Sequence, residues 1–382
     1  MERLKAFNPQ RLQWCMADAQ IDAGHLARDV GISERTLTRA MEGQTGLTFI
    51  QLQRLGKYFG RTPLFFLEQG VPEPQQIRSP QFRTILNQQH NLDQKIKRII
   101  QLAEWQREAY IDLLDEIDAE ERIQFDPPDL VGITPSSAAR QAREWLGIQN
   151  ESSFEQYRAA IERRGILVFR TNGYAGKWQI PSAHPTIGFS LYHSSYPIIV
   201  VRKESVEARQ TFTLAHELGH LLLFRESTID SVDSLNSHAR KERLANEFAG
   251  YFLIPQASLN QIDTLGLSDE PATLEAQLQK FRRLWGVSTD TILIRLIASN
   301  RLEQIVYDEF KVWRDSRPAE ESQGGNREWR HREPRHILGD TYVRAVLQAL
   351  DANKLSIVKA SKYLDDLKLT DLRQLERYYA GA

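Results

Sequence analysis

Thr213-Leu-Ala-His216-Glu217-Leu-Gly-His220-Leu-Leu-Leu223 is an apolar segment that carries two histidines four residues apart. Residues at this spacing lie one turn apart on the same face of an α-helix, so the two imidazoles project side by side. The surrounding leucines are typical of a core helix rather than a surface helix. Burying two unpaired imidazoles and a carboxylate would cost several kcal/mol. The pattern therefore predicts a bound partner for these three side chains.

Two neutral imidazoles on one helix face can hold a Zn²⁺ ion at bond lengths of about 2.0–2.1 Å. Glu217 lies next to that face, where its carboxylate can take a proton from water that the metal has made more acidic. The motif predicts a zinc metallopeptidase with His216 and His220 as ligands and Glu217 as the catalytic base. Zinc is preferred over other divalent metals because of the ligand type.

A third protein ligand is expected from a neighbouring element, the helix predicted over about 238–253. Glu242 is favoured, because Asn246 lies on the same helix face and could orient a ligand from behind. Glu247 points about 140° away from Glu242, since successive residues turn by about 100°. His238, at the start of this helix, is the other alternative.

The composition is that of a folded protein without a dominant charge. The chain has 49 basic and 50 acidic side chains, which argues against a surface devoted to nucleic acid or anionic membrane. A single cysteine, Cys15, rules out an intrachain disulfide and fits a reducing compartment. The sequence contains no apolar stretch of about 18 residues. We therefore expect a cytoplasmic protein with no membrane partner.

At 382 residues, two or three domains are expected. The predicted class is α+β and mostly helical. Breaks rich in proline and charge divide the chain into a helical N-terminal domain (1–70), a linker with a charged helix (71–127), a domain with a small sheet (128–305), and a loop with C-terminal helices (306–382). Strands are predicted at 165–170, 186–192 and 197–202, the last two as a hairpin, and 316–335 are predicted to be loop.

Residues 22–43 have the pattern of two short helices joined by a tight turn. Asp22 caps the first helix, Gly31 ends it, and Ser33 caps the second. Apolar side chains on both helices would close the angle between them: Leu26, Val30, Ile32 and Leu37. This is the pattern of a helix-turn-helix, in which the second helix enters the major groove of DNA.

Two sets of motifs resemble known families. Arg209-Gln-Thr-Phe-Thr-Leu-Ala-His-Glu-Leu-Gly-His220, with Glu242-x-x-Ala-Asn246 and Leu253-Ile-Pro255, resembles the ImmA/IrrE family of metallo-endopeptidases. The N-terminus resembles the helix-turn-helix of Xre-type regulators. Thr48-Phe-x-Gln-Leu52 through Phe65-Phe-Leu67, with Phe82-Arg-Thr84, looks like the versions fused to such peptidases.

The first resemblance implies a zincin-like peptidase domain that cuts helix-turn-helix repressors and so relieves repression. It implies His216, His220 and Glu242 as zinc ligands and Glu217 as the base. The residue that stabilises the oxyanion has no matching motif, and four side chains stay open for that role: His184, Tyr192, His238 and Tyr251. Fused proteins of this type also resemble antitoxins of two-gene modules, so the rival function is a non-enzymatic regulator that binds a toxin.

In the helix-turn-helix, Arg35, Thr38 and Arg39 lie on the first turns of the second helix and are expected to meet bases or phosphates. Operator DNA is therefore an expected partner of residues 22–43. Ala23 stands where Xre-type modules usually carry a polar, phosphate-facing residue. That departure weakens the prediction of DNA binding and keeps open the alternative that this module docks a protein instead.

Overall fold

The structure is a computed structural model that describes residues 7–19, 21–44, 46–59, 63–70, 93–117, 123–172, 176–181, 183–231, 239–317 and 327–381. Two predicted features, the linker at 71–80 and the Phe82-Arg-Thr84 motif, lie outside these residues, as does His238. The chain divides into two compact units. Unit 1 comprises 1–80 and 91–98, and unit 2 comprises 81–90 and 99–382.

Unit 1 is built from short helices: α1 (Pro9–Ala19), α2 (Ala23–Val30), α3 (Glu34–Met41) and α4 (Phe49–Phe59), then a 3₁₀ turn (Pro63–Phe66). The predicted caps are confirmed. An Asp22 carboxylate oxygen accepts from the backbone of α2, Gly31 ends that helix at a φ of 62°, and the Ser33 hydroxyl accepts from the backbone of α3. Glycine suits this left-handed position because it has no Cβ to clash.

The turn between α2 and α3 is held from both sides. Leu26, Ile32 and Leu37 are buried in the core of unit 1. The Arg54 guanidinium of α4 donates to the Gly31 carbonyl oxygen over 3.0 Å. The two predicted short helices and the tight turn between them are therefore present, fixed by apolar packing and one long-range hydrogen bond.

Unit 2 contains a four-stranded sheet: β1 (Leu167–Arg170), β2 (Thr186–Leu191), β3 (Ile198–Val201) and β4 (Thr228–Ser231). The strand order is β1-β3-β2-β4. β1 pairs with β3 in parallel, while β2 pairs antiparallel with both β3 and β4. The three predicted strands and their hairpin are confirmed, and β4 was not predicted.

Helices make up most of the chain, so the predicted α+β, mostly helical class is confirmed. None of the helices in the described ranges is long and apolar enough to cross a membrane. The longest of these helices is α5, with 23 residues. From α5 onward the helices are α5 (Gln94–Glu116), α6 (Pro135–Leu146), α7 (Phe154–Glu162), α8 (Glu207–Leu223), α9 (Arg240–Leu253), α10 (Gln256–Leu259), α11 (Pro271–Trp285), α12 (Thr289–Ala298), α13 (Gln304–Asp315), α14 (Glu333–Leu338), α15 (Asp340–Asp351), α16 (Ile357–Tyr363) and α17 (Leu369–Tyr379).

The motif helix α8 lies at the centre of unit 2. It packs against β2 and β3 on one side and against α9 on the other. Gly219 makes the close approach of α9 possible, because a Cβ at this position would lie 2.9 Å from the Phe248 ring. A residue with a side chain would therefore push the two helices apart.

The prediction that 316–335 is loop is wrong for its second half. Residues Arg327–Arg332 form a 3₁₀ helix and α14 begins at Glu333. The segment is polar, but the buried Arg158 guanidinium holds its end by donating to the carbonyl oxygens of Arg335 (3.4 Å) and of the next two residues, His336 and Ile337 (both 3.0 Å). A hydrogen bond from a distant helix cannot be inferred from local composition, which is why the prediction failed.

Candidate metal centre

Both histidines of α8 are fully buried and face the same point. His216 and His220 have no exposed surface, and their Nε2 atoms lie 3.0 Å apart. Helical spacing brings the two rings together edge to face, with ring centroids 4.7 Å apart, and the leucines of the same helix anchor it in the core. The Nδ1 atoms on the far side of the rings have no hydrogen-bond partner among the described residues. The side chains are thus oriented by helix packing, with Nε2 inward.

Two carboxylates from different elements meet the imidazoles. Oδ2 of Asp230, on β4, lies 3.1 Å from Nε2 of His216 and 3.4 Å from Nε2 of His220. Glu242, in the first turn of α9, places its oxygens 3.4 Å and 3.6 Å from the same two nitrogens. One donor atom from each of the four side chains lies within 4.8 Å of the others.

These separations fit one metal ion. A tetrahedral Zn²⁺ site with bonds of about 2.0–2.2 Å has ligand–ligand edges of about 3.3–3.6 Å. The distances from Asp230 and Glu242 to the imidazoles run from 3.1 to 3.6 Å. Oδ2 of Asp230 and Oε2 of Glu242 nevertheless accept no aligned hydrogen bond from the described residues. Donor atoms that lie close together without forming well-directed hydrogen bonds to each other are typical of ligands that surround one metal ion.

The electrostatics of the cluster favour a cation. Burial alone would lower the pKa of His216, but contacts with Asp230 and Glu242 raise it to about 9. Burial would raise the pKa of Glu242, but contacts with both imidazoles lower it to about 2. Positive charge is therefore stabilised where the donor atoms meet, and Glu242 is ionised at neutral pH.

Glu217 lies beside this cluster and is fully buried. The Thr228 hydroxyl of β4 donates to Oε2 of Glu217 over 3.3 Å, and the Ser190 hydroxyl of β2 lies 2.9 Å from that of Thr228. Burial, and then the negative charge of Asp230, raise the pKa of Glu217 well above its usual range. A carboxylate in this environment binds a proton readily, as a general base requires.

The structure brings three of the predicted site residues, together with Glu217, to one place: His216, His220 and Glu242. Asn246 follows Glu242 by one turn of α9, and its amide oxygen is buried. Glu247 lies on the outer side of the helix, where its carboxylate is 3.8 Å from the Arg243 guanidinium and 44% exposed. His238, the other alternative ligand, lies outside the described residues.

Sequence reasoning missed Asp230, Thr228 and Ser190. Two of the three are on β4, the strand that was not predicted. Ser227-Thr-Ile-Asp-Ser231 does carry a sign of it, because two β-branched residues lie together between polar ones. Four residues are too few for an alternating pattern, however, and the pairing of β4 with β2 is set by tertiary packing.

The described candidates for stabilising an oxyanion are engaged elsewhere. Nδ1 of His184 accepts from the Thr186 backbone over 3.1 Å. The Tyr192 ring packs against that of Phe125. The Tyr251 ring lies under the Arg295 guanidinium, 3.8 Å from the ring centre. None of these contacts singles out one candidate for that role.

The predicted DNA-reading residues lie on α3 of unit 1. Arg35 and Arg39 are exposed, and Thr38 is half-buried with its hydroxyl donating to the Glu34 carbonyl oxygen over 3.0 Å. The two guanidiniums are thus available to a partner of unit 1, whereas the Thr38 hydroxyl already has a local acceptor.

Comparison with known proteins agrees with this geometry. Residues 161–296 match the family model of the IrrE N-terminal-like domain, a peptidase family whose members are generally metal-dependent. The match runs from the end of α7 to α12 and includes all four donor residues and Glu217. This segment therefore has a metallopeptidase-like fold. A comparison of the chain with curated proteins gave no match.

Proposed function

We propose that this chain is a zinc-dependent endopeptidase that acts on a protein substrate. The convergence of His216, His220 and Glu242 beside a buried Glu217 carries the proposal. These are the donor types that zinc prefers, at separations that suit one ion. The family match of 161–296 supports a peptidase over other metal-dependent enzymes.

Each residue has a separate task. The two imidazoles and the Glu242 carboxylate would hold the ion, and Asn246 would orient Glu242 from the next turn of α9. A bound Zn²⁺ would supply Lewis-acid polarisation of water and of the peptide carbonyl. Glu217 would take a proton from the attacking water and later give one to the leaving amine. Thr228 keeps the Glu217 carboxylate in place for both transfers.

The substrate class follows from the sequence resemblance. We expect a cytoplasmic helix-turn-helix repressor or related regulator, cut in an exposed segment, so that repression is relieved. Unit 1 would then bring the peptidase to its place of action, either by binding operator DNA through residues 22–43 or by docking the regulator.

A substrate trap tests this function. The full chain carrying Glu217→Gln keeps its ligands but lacks the base, so it should hold a substrate without cutting it. Proteins captured by this variant from the source cytosol are then incubated with the wild-type chain. A captured regulator that the zinc-loaded wild type cleaves, and that EDTA protects, supports the proposal. Captured proteins that all stay intact would contradict it.

A second candidate function is favoured by Asp230. Catalytic zinc sites usually have three protein ligands and an open position, whereas structural sites have four. A fourth donor suits a non-enzymatic regulator or antitoxin whose metal only stabilises the fold. In that case the wild type and Glu217→Gln should capture the same toxin equally well, and neither should cut it.

A further inference from the structure

Asp230 is the donor of this cluster that a three-ligand centre leaves unexplained. Its side chain is 2% exposed, and Oδ2 lies as close to both imidazole Nε2 atoms as the Glu242 oxygens do. We propose that Asp230 is a fourth protein ligand, which closes the metal centre in the resting chain and must withdraw before a substrate can reach the ion. This inference rests on the zinc centre proposed above.

The position of Oδ2 leaves little room for another role. It accepts no aligned hydrogen bond from the described residues, although it is buried. Its nearest polar neighbours among the described residues are the two imidazole Nε2 atoms, 3.1 Å and 3.4 Å away, the same atoms that would bind the ion. A metal ion between Asp230 and the imidazoles would therefore place Asp230 at the corner where a catalytic centre keeps an open position.

Among the four donors, Asp230 has the least support from its own element. The histidines lie in a core helix and Glu242 lies in the fourteen-residue helix α9. Asp230 lies in the four-residue strand β4, which comes last in the strand order and has β2 as its one partner among the described strands. The pairing is also irregular at this point, with a register shift between Thr186 and Gly188. Elements with few buried apolar contacts open locally more easily than core elements do.

Withdrawal of β4 would act on the base as well. Thr228, two residues before Asp230, donates to the Glu217 carboxylate. A shift of this strand would therefore uncover the ion and change the hydrogen bonding of Glu217 in one movement. The closed chain would be latent toward proteins that do not displace β4, and its own substrate would open the centre by displacing this strand.

Cobalt substitution of the full chain tests the closure without relying on activity. Cobalt stoichiometry is measured first, then azide is titrated against the visible absorption of the Co²⁺-loaded chain. We expect no azide-induced change in wild type, and a saturable change in Asp230→Ala and Asp230→Asn. Asp308→Ala is the control, because this exposed carboxylate lies on α13 and accepts a hydrogen bond from Gln304, one turn earlier in the same helix. Zinc affinity should fall at least ~10-fold in both Asp230 variants and stay unchanged in the control.

The outcomes separate the two proposals. A wild-type chain that binds cobalt and azide together overturns the closure and leaves the peptidase proposal standing. A wild-type chain that binds no cobalt or zinc overturns both. Latency also predicts that Asp230→Ala cleaves denatured casein at least ~10-fold faster than wild type. An azide-accessible variant with no gain in cleavage would overturn latency and favour the structural metal centre.

Discussion

Gly188 on β2 is paired with Asp230 on β4, and the absence of a side chain at Gly188 makes room for Glu217. A Cβ at this position would lie 2.9 Å from Oε1 of Glu217 and 2.7 Å from Cγ2 of Thr213. The sheet thus lies close against the motif helix beside Glu217, at the residue of β2 that pairs with Asp230. Glycine is needed here because a side chain would clash with the residues around the site, and not because the backbone makes a turn.

Gly188→Ala should therefore damage the site and the fold together. Both neighbours of the new methyl group are in the buried helix α8, and the Val200 carbonyl oxygen lies 3.1 Å away on a third side. Overpacking of this kind costs about 1–3 kcal/mol. We expect a loss of that size in the free energy of unfolding, measured with denaturant, and a fall in cleavage rate at saturating substrate.

Gly266→Ala is the matched control for this change. A Cβ there would meet only Asp263 Oδ2, at an ordinary contact distance of 3.7 Å. Its stability should stay within about 0.5 kcal/mol of wild type. Equal stabilities for the two variants would show that the sheet and α8 are not packed as closely as described.

Glu217→Gln should separate metal binding from chemistry. The amide cannot accept the proton of the attacking water, but it leaves both imidazoles and Glu242 unchanged. We expect one zinc per chain by elemental analysis and no detectable cleavage. His216→Ala and His220→Ala should lose the metal instead. Cleavage by Glu217→Gln at the wild-type rate would exclude Glu217 as the base.

Glu242→Ala and Glu247→Ala are a matched pair on one helix. Glu242 faces the imidazoles and is 17% exposed, whereas Glu247 faces Arg243 and is 44% exposed. Glu242→Ala should lower zinc affinity by at least the 10–100-fold typical of losing even a supporting residue. Glu247→Ala should leave it within about twofold. A competition titration against a chelator measures both, and the reverse order would reassign the ligand.

The metal ligands predicted from the sequence are all determined by the geometry of a single helix. His216 and His220 are fixed by helical spacing, and Glu242 could be chosen over Glu247 because 100° per residue puts them on different faces. The caps of α2 and α3 were predictable for the same reason, since Asp22 and Ser33 act on backbone only three residues away. In each case, residues within one or two turns of the same helix were enough to predict the feature.

Predicting Asp230 as a ligand would have required knowledge of contacts with distant parts of the chain. Its strand is four residues long and exists because β2 offers it hydrogen bonds from forty residues earlier in the chain. The loop prediction for the segment before α14 was wrong for the same reason, because Arg158 holds this region from a distant helix. Elements that depend on a distant partner have weak sequence patterns, however strongly they are held in the fold.

Arg35→Ala combined with Arg39→Ala should abolish operator binding by unit 1. Both guanidiniums are exposed on α3, where the second helix of a helix-turn-helix meets DNA. Each lost phosphate contact should reduce the salt dependence of binding by about one unit of log–log slope. Footprinting on DNA from upstream of the chain's own gene measures the loss. Arg140→Ala, on the surface of unit 2, is the control for charge. A footprint that survives the double substitution would show that α3 does not read DNA.

Asp365 gives unit 2 a pH dependence that is separate from the metal centre. Burial raises the pKa of Asp365 to about 6; Lys177 opposes this shift, and the charge of Asp366 adds to it. The folded chain therefore binds a proton between about pH 4 and pH 6 that the unfolded chain, with a usual pKa of about 3.9, does not. The ionised side chain thus destabilises the fold fully above pH 6 and not at all below about pH 4.

Asp365→Asn should stabilise the chain by about 1–2 kcal/mol at pH 8, after discounting for its partial exposure, and the gain should vanish at pH 4. Asparagine also tolerates the left-handed backbone at this position, where φ is 61°. Asp366→Asn is the comparison at a similar φ of 57°: this side chain is 61% exposed, and loss of its charge should only lower the pKa of Asp365, so the gain at pH 8 should be smaller. Denaturant unfolding at the two pH values measures all three proteins. A gain for Asp365→Asn that is the same at pH 4 and pH 8 would mean that titration of this carboxyl is not its source.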